Sequence, residues 1–66
     1  MQIRLNGETR QVAEAVTLAQ LVAELGLQGS RYAIEVNEEL VPRSKHPDYV
    51  LSEGDRVEVV QAIGGG

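Results

Sequence analysis

One short amphipathic helix, with clear signals at both ends, constrains the fold more than any other feature of the sequence. The Thr17 hydroxyl can accept a hydrogen bond from the amide of Gln20, and the Gln20 side chain can reach back to Thr17, as in a capping box. Gly26 stands where a left-handed residue ends a helix. The apolar face between these ends is formed by Leu18, Leu21, Val22 and Leu25. This face is predicted to pack against the rest of the chain as part of a core.

The residues before the helix predict a β-hairpin. Residues 1–5 alternate between apolar and polar side chains, which is the period of a half-buried strand. Asn6-Gly7 follows, the preferred pair for a two-residue turn in which both residues have positive φ. The return strand, residues 8–13, is mostly polar, with Val12 as its one clear core residue. We therefore predict an edge strand, since polar residues there discourage pairing with other chains.

Two strands are predicted directly after the helix. Tyr32, Ile34 and Val36 alternate with Arg31, Ala33 and Glu35, which indicates a strand. A turn over residues 37–39 leads to the short apolar pair Leu40-Val41. Pro42 ends that pair, because proline cannot donate a hydrogen bond to a ladder.

The last third of the chain predicts an irregular segment and one central strand. Residues 43–50 are predicted to be irregular, with His46 as a loop residue. Leu51 is expected to anchor a tight turn at residues 52–55. The strand that follows, residues 56–62, is apolar enough to lie at the centre of a sheet.

This order of elements predicts an α+β fold of the β-grasp (ubiquitin-like) type. Its mixed sheet has about four to five strands, with one main helix packed on one face. The helical crossover favours parallel pairing, so the first and last strands are expected side by side. Residues 1–66 are predicted to form a single domain with a flexible glycine tail from about residue 63. Val57 and Val59 would face the helix, and Val60 and Ala62 the open side of the sheet.

Composition and charge limit the classes of function. The 66 residues include no cysteine, which excludes disulfides and thiolate chemistry. The net charge is −4, and no basic stripe accompanies the two tyrosines, so the footprint of a nucleic-acid binder is missing. Neither a signal peptide nor the roughly 18 apolar residues of a membrane span are found. We predict a cytoplasmic protein with no nucleic-acid or membrane partner, whose acidity suits a basic patch on a partner protein.

The sequence contains no catalytic constellation. His46 is the only histidine, and no metal-ligand spacing surrounds it. Ser30, Ser44 and Ser52 lack a base at any recognisable motif spacing and are interpreted as turn residues. The chain is therefore predicted not to be an enzyme and to have no catalytic residue and no metal site.

The glycines at the C-terminal end predict where the chemistry takes place. Gly64-Gly65-Gly66 is poorly suited to staying folded, because glycine loses more conformational freedom on ordering than any other residue. Fully extended, these residues reach about 10 Å into a channel too narrow for side chains. We predict that the Gly66 carboxylate is the reactive group. It becomes an acyl donor once another enzyme converts it to a mixed anhydride with a nucleotide phosphate.

Segments spread along the whole chain match one known pattern. They are Asn6-Gly7-Glu8, Thr17-Leu18, Leu21-Val22, Val36-Asn37, Leu40-Val41-Pro42-Arg43, Glu53-Gly54-Asp55 and residues 59–66. Together they resemble the ThiS sulfur-carrier family. The terminal di-glycine is shared with other ubiquitin-like proteins, and its combination with the Val-Pro-Arg segment is more specific. The family pattern often has a residue other than glycine at the position of Gly64.

The resemblance implies a carrier function. A ThiF-like enzyme would adenylate Gly66 with ATP, and sulfur from a persulfide protein would replace AMP to leave a thiocarboxylate. The carrier would then dock on a ThiG-like thiazole synthase and donate sulfur to the thiazole ring of thiamine. Gly64 and Gly65 would permit threading of the tail, and the chain itself would bind no cofactor. The docking residues would be Val60, Ala62 and Ile63.

Three alternatives stay open at this point. A MoaD-like subunit for molybdopterin synthesis would use the same tail chemistry, although the Val-Pro-Arg segment favours ThiS. A ubiquitin-like modifier would be joined through Gly66 to lysines of other proteins. A β-grasp interaction domain with an inert tail would keep its function if Gly65-Gly66 were removed.

Overall fold

A mixed sheet with a helix on one face forms the part of the protein that the structure describes. The computed structural model describes residues 1–27 and 31–61. The strands are β1 (Gln2–Leu5), β2 (Glu8–Gln11), β3 (Tyr32–Val36), β4 (Glu39–Leu40) and β5 (Arg56–Gln61). The helices are α1 (Leu18–Leu25) and a 3₁₀ helix (Arg43–Asp48). The strands lie in the order β2-β1-β5-β3-β4, which confirms the β-grasp prediction.

Strands β1 and β2 form the predicted hairpin. Asn6 and Gly7 have φ values of 50° and 85°, the positive values that this two-residue turn requires. Leu5 lies opposite Glu8, in the expected register. β2 lies at an edge of the sheet, as predicted, but it ends at Gln11, earlier than expected.

Helix α1 has both predicted ends. The Oγ1 atom of Thr17 accepts a hydrogen bond from the Gln20 amide at 3.1 Å, and Gln20 Oε1 accepts one from the Thr17 amide at 2.9 Å. Gly26 ends the helix with a left-handed φ of 73°. Leu18 and Leu21 are fully buried. The capping box therefore starts the helix where its apolar face can pack on the sheet.

Strand β5 lies at the centre of the sheet. It pairs parallel with β1 and antiparallel with β3, so the first and last strands lie side by side, as predicted. Val57 on β5 is buried in the core, and the partly buried Val59 packs against that core. The largest fully buried side chains are Ile3, Leu18, Leu21, Ile34, Val36 and Val57. The core therefore fills the space between α1 and the sheet.

The prediction that residues 43–50 are irregular is wrong. A 3₁₀ helix occupies Arg43–Asp48, although Pro47 lies within it. His46 lies within this helix and is therefore not a loop residue. Its side chain is only 5% exposed, and its Nε2 atom lies 3.0 Å from the carbonyl oxygen of Val41. A 3₁₀ helix this short has too few turns to give a periodic pattern. Tertiary contacts hold it in place, and a local pattern does not show them.

The turn between β3 and β4 is tighter than predicted. It consists of Asn37 and Glu38, with φ values of 52° and 72°, and β4 already begins at Glu39. Both central residues of this kind of turn need positive φ, for which glycine is the usual residue. The start of β4 at Glu39 was not predictable, because no glycine marks the turn before it.

Candidate functional site: the open face of the sheet

The predicted reactive tail follows the end of β5 at Gln61. The tail residues Ala62, Ile63, Gly64, Gly65 and Gly66 lie outside the described residues. Their roles in docking, threading and sulfur attachment therefore stay predictions. Val60 belongs to β5, so the structure does describe the surface beside the point where the tail begins.

One face of the sheet packs on the core, and the opposite one, here called the open face, does not. Side chains alternate along β5, so Val57 and Val59 point to the core while Glu58 and Val60 point to the open face. The same alternation and the strand register define the other members. The open face is formed by Gln2, Arg4, Thr9, Gln11, Ala33, Glu35, Leu40, Arg56, Glu58 and Val60.

Two large apolar side chains are exposed on the open face. Val60 is 59% exposed and Leu40 is 65% exposed. Ala33 on β3 lies opposite Val60 on β5, and Glu35 on β3 lies opposite Leu40 on β4. Val60 and Leu40 therefore belong to one continuous surface formed by three neighbouring strands. Exposed apolar groups of this kind suit protein docking. The sequence predicted Val60 but missed Leu40, because only the register shows which residue of its apolar pair faces outwards.

Two glutamates lie side by side in the middle of the open face. Glu35 and Glu58 are directly opposite partners in the antiparallel β3–β5 pair. Neither side chain forms an ion pair or a hydrogen bond with a described residue. Like charges at such positions are destabilising. The sequence did not reveal the pair, because no hairpin turn joins β3 to β5 and fixes their register.

The arginines of the open face already have partners. The Nη2 atom of Arg4 donates to the carbonyl oxygen of Gly7 at 3.1 Å, and the Nη2 atom of Arg56 lies 3.8 Å from a carboxylate oxygen of Glu38. These residues and Glu58 line a surface cleft of about 520 Å³. The paired basic groups therefore lie where β5 begins, and the exposed Val60 lies where β5 leads towards the tail.

Side chains from two turns hold β5 in place. The Oδ1 atom of Asn6 accepts a hydrogen bond from the Val59 amide at 2.8 Å. The Oδ1 atom of Asn37 accepts one from the Arg56 amide at 3.0 Å. Since β1 has ended before Asn6, this side chain continues the β1–β5 ladder by one further bond. This bond to Val59 and the pairing of Val60 with Ala33 on β3 together hold Val60 in position.

An aromatic and basic cluster lies beside the end of β5. Tyr32 is the partner of Gln61 in the β3–β5 register. The guanidinium carbon of Arg43 lies 4.2 Å from the centroid of the Tyr32 ring, and the His46 ring lies 6.3 Å from the same centroid. A cation over an aromatic face is attracted by the ring quadrupole. Arg43 and His46 thus pack around Tyr32, the first residue of β3, which lies next to Gln61, the last described residue of β5.

The described residues provide surfaces for binding but no group of side chains suited to hold a metal ion. Their one histidine already has a hydrogen-bond partner. His46 is buried, with Nε2 beside the Val41 carbonyl. Within residues 1–27 and 31–61, no group of three His, Asp or Glu side chains is placed to hold a metal ion. Neither helix in this part of the chain is long and apolar enough to cross a membrane. The predictions that the chain is not an enzyme and holds no metal or cofactor stay predictions.

The sheet order, the helix on one face and the exposed opposite face define a ubiquitin-like β-grasp domain. A model described as the ThiS family matches residues 3–66. Because that match covers nearly all of the sequence, the chain belongs to the ThiS family. The resemblance predicted from the sequence is thereby confirmed.

Individual relatives agree with this assignment. The sulfur carrier protein ThiS of Escherichia coli is 30% identical over 66 residues, covering 100% of both chains. The crystal structure of the thiamine biosynthesis protein ThiS from Geobacter metallireducens is similar with a TM-score of 0.86 and 29% identity, again over 100% of both chains. A thiazole synthase of Paramagnetospirillum magneticum is 38% identical over 66 residues. The chain spans only 20% of the length of that thiazole synthase.

Proposed function

We propose that this chain is a sulfur carrier for the formation of the thiazole ring in thiamine biosynthesis. The observation that carries the proposal is its membership of the ThiS family over residues 3–66. Similarity to a named sulfur carrier and to a thiazole synthase supports the same pathway. The thiazole synthase favours this pathway over molybdopterin synthesis.

The first step of the proposed reaction activates the carboxylate of Gly66. One carboxylate oxygen bonds to the α-phosphorus of ATP, pyrophosphate leaves, and an acyl adenylate results. A ThiF-like adenylating enzyme supplies the nucleotide, so the chain needs no cofactor of its own. Activation is needed because AMP is a far better leaving group than oxide.

Sulfur then replaces the nucleotide. The terminal sulfur of a persulfide protein bonds to the carbonyl carbon of Gly66, and AMP leaves. A thiol then attacks the donor's sulfur, breaks the sulfur–sulfur bond and forms a new disulfide with the donor. The carrier is left with a thiocarboxylate, which is ionised at neutral pH and more nucleophilic than a carboxylate. This product suits sulfur delivery to a ThiG-like thiazole synthase.

In this proposal the folded body lets other enzymes hold and aim the tail. Gly64 and Gly65 have no side chains, so they can pass through a narrow channel. Val60, exposed on the open face, would form the docking surface together with Ala62 and Ile63. Binding at that surface can position the tail for reaction, and enclosure would limit hydrolysis of the adenylate. The use of ATP fits the predicted cytoplasmic location.

Changes at the C-terminal end test the proposal. The natural chain, a Gly66→Ala variant and a variant with an extra residue after Gly66 are each incubated with a ThiF-like enzyme, ATP, magnesium and a persulfide donor. We expect intact-mass analysis to show exchange of oxygen for sulfur in the natural chain alone. The alanine methyl obstructs the channel, and the extra residue displaces the carboxylate from the nucleotide. Unchanged thermal midpoints would show that both variants are folded.

Sulfur incorporation into the extended variant at the natural rate would contradict the proposal. Failure of the natural chain to form an adenylate would contradict it as well. Conjugates in which Gly66 is joined to lysines of other proteins would instead indicate a ubiquitin-like modifier.

A further inference from the structure

We infer that the open face docks on a basic patch of the adenylating enzyme, with a lysine or arginine of that enzyme between the carboxylates of Glu35 and Glu58. This inference rests on the proposed function and specifies the chemistry of its first partner.

The two carboxylates are arranged at a cost to the free chain. Glu35 and Glu58 lie directly opposite each other, and neither has an ion-pair partner among the described residues. The arginines of the same face, Arg4 and Arg56, are engaged with the Gly7 carbonyl and with Glu38. A cation supplied from outside the chain would convert the repulsion into attraction to both carboxylates.

Apolar side chains flank the carboxylates. Leu40 lies opposite Glu35 on β4, and Val60 follows Glu58 on the same face of β5. Both apolar side chains are more than half exposed, Leu40 at 65% and Val60 at 59%. Apolar contacts on docking would exclude water from around the charges. An ion pair in such surroundings is stronger than one in water, and it fixes the register of the complex.

The adenylating enzyme is the partner that fits this face best. Residues 62–66 can span at most about 18 Å, so a bound chain holds the open face close to the nucleotide that reacts with Gly66. An enzyme that binds a triphosphate must place positive groups around it, and their field attracts acidic surfaces. The net charge of −4 acts in the same direction.

A double variant, Glu35→Gln with Glu58→Gln, tests the inference in the full-length chain. Its dissociation constant with a purified ThiF-like enzyme is measured by calorimetry at low and high salt, together with its thermal midpoint. We expect binding about tenfold weaker at low salt, with a smaller dependence on salt than for the natural chain. We also expect the thermal midpoint to rise by roughly 1–5 °C, because the repulsion between the carboxylates is gone.

A matched control removes the same charge elsewhere. Glu8→Gln with Glu24→Gln changes two exposed acids that do not belong to the open face, one opposite Leu5 on β2 and one on α1. The ion pair of Glu24 with Arg10 is long, at 3.9 Å, and exposed, so its loss should cost little stability. This control should bind as the natural chain does. Weaker binding of the double variant with a raised midpoint supports the inference, since a purely structural role would lower both.

Three results would overturn the inference. The double variant could bind the adenylating enzyme with unchanged affinity, it could lose both affinity and thermal stability, or it could lose affinity only for a thiazole synthase. In each case adenylation of the natural chain would still support the proposed function. Failure of the natural chain to be adenylated would instead count against the proposed function itself.

Discussion

Two leucines illustrate how the surroundings of a residue decide its role in this protein. Leu21 on α1 is fully buried, whereas Leu40 on β4 is 65% exposed. The first belongs to the core between helix and sheet, and the second to the open face. The same side chain therefore contributes to stability in one place and to a docking surface in the other.

Truncation of these two leucines should have very different effects on stability. Leu21→Ala removes buried side-chain volume and is expected to lower the free energy of unfolding by about 2–5 kcal/mol. Leu40→Ala is the matched control and should change it by no more than about 0.5 kcal/mol. Denaturant unfolding of both variants measures the difference. Equal midpoints for the two variants would show that the helix face has been assigned wrongly.

Individual residues differ in how far the sequence predicted them. The burial of Leu21 followed from helical spacing, which is a local pattern. The burial of His46 did not, because its place depends on the Val41 carbonyl and on the 3₁₀ helix around it. The tail residue Gly66 was singled out for its chemistry, and its role stays a prediction.

Among the strands, β5 contributes most to the candidate site. It lies between β1 and β3, and it carries both Glu58 and Val60. The Asn6 side chain holds the Val59 amide at 2.8 Å, where β1 no longer provides a backbone partner. A turn residue therefore also serves as part of the sheet.

Substitution of Asn6 separates its two roles. Asn6→Gly keeps a residue that readily adopts positive φ, but it removes the acceptor for the Val59 amide. We expect a loss of about 0.5–1 kcal/mol in the free energy of unfolding and faster hydrogen exchange of that amide. Asn6→Asp retains an acceptor and should keep the protection. Unchanged exchange at Val59 in the glycine variant would show that the hydrogen bond contributes nothing measurable.

Elements defined by local signals were predicted better than those defined by contacts distant in sequence. The first hairpin and the capped helix α1 each have their own turn or capping residues, and both predictions are confirmed. The register between β3 and β5 places the Glu35–Glu58 pair, and no local pattern contains it. For the same reason Val60 is the one described residue of the open face that the sequence predicted, and Ala62, also predicted there, lies outside the described residues.

Over the whole molecule, the folded core and the proposed reactive end occupy different parts of the chain. The buried apolar residues of the described core lie between Ile3 and Val57. Residues 62–66 follow all of them. Removal of residues at the C-terminal end should therefore abolish sulfur transfer while the free energy of unfolding stays nearly unchanged.

Deletion of residues 63–66 tests that separation. The thermal midpoint should change by no more than about 1–2 °C, because no residue of the described core is removed. Adenylation should be lost entirely. Deletion of residues 59–66 is the comparison, since it also removes half of β5 and should unfold the protein. A large loss of stability in the shorter deletion would show that the end of the chain supports the fold.

The central position of β5 has a consequence for which molecules can be activated. With β5 detached, β2-β1 and β3-β4 would be two separate hairpins with no hydrogen bonds between them. Glu35 and Glu58 would then no longer lie together, and the surface proposed to meet the adenylating enzyme would not exist. Under the proposed function, docking would act as a check on completed folding, and ATP would be consumed only on molecules whose sheet is intact.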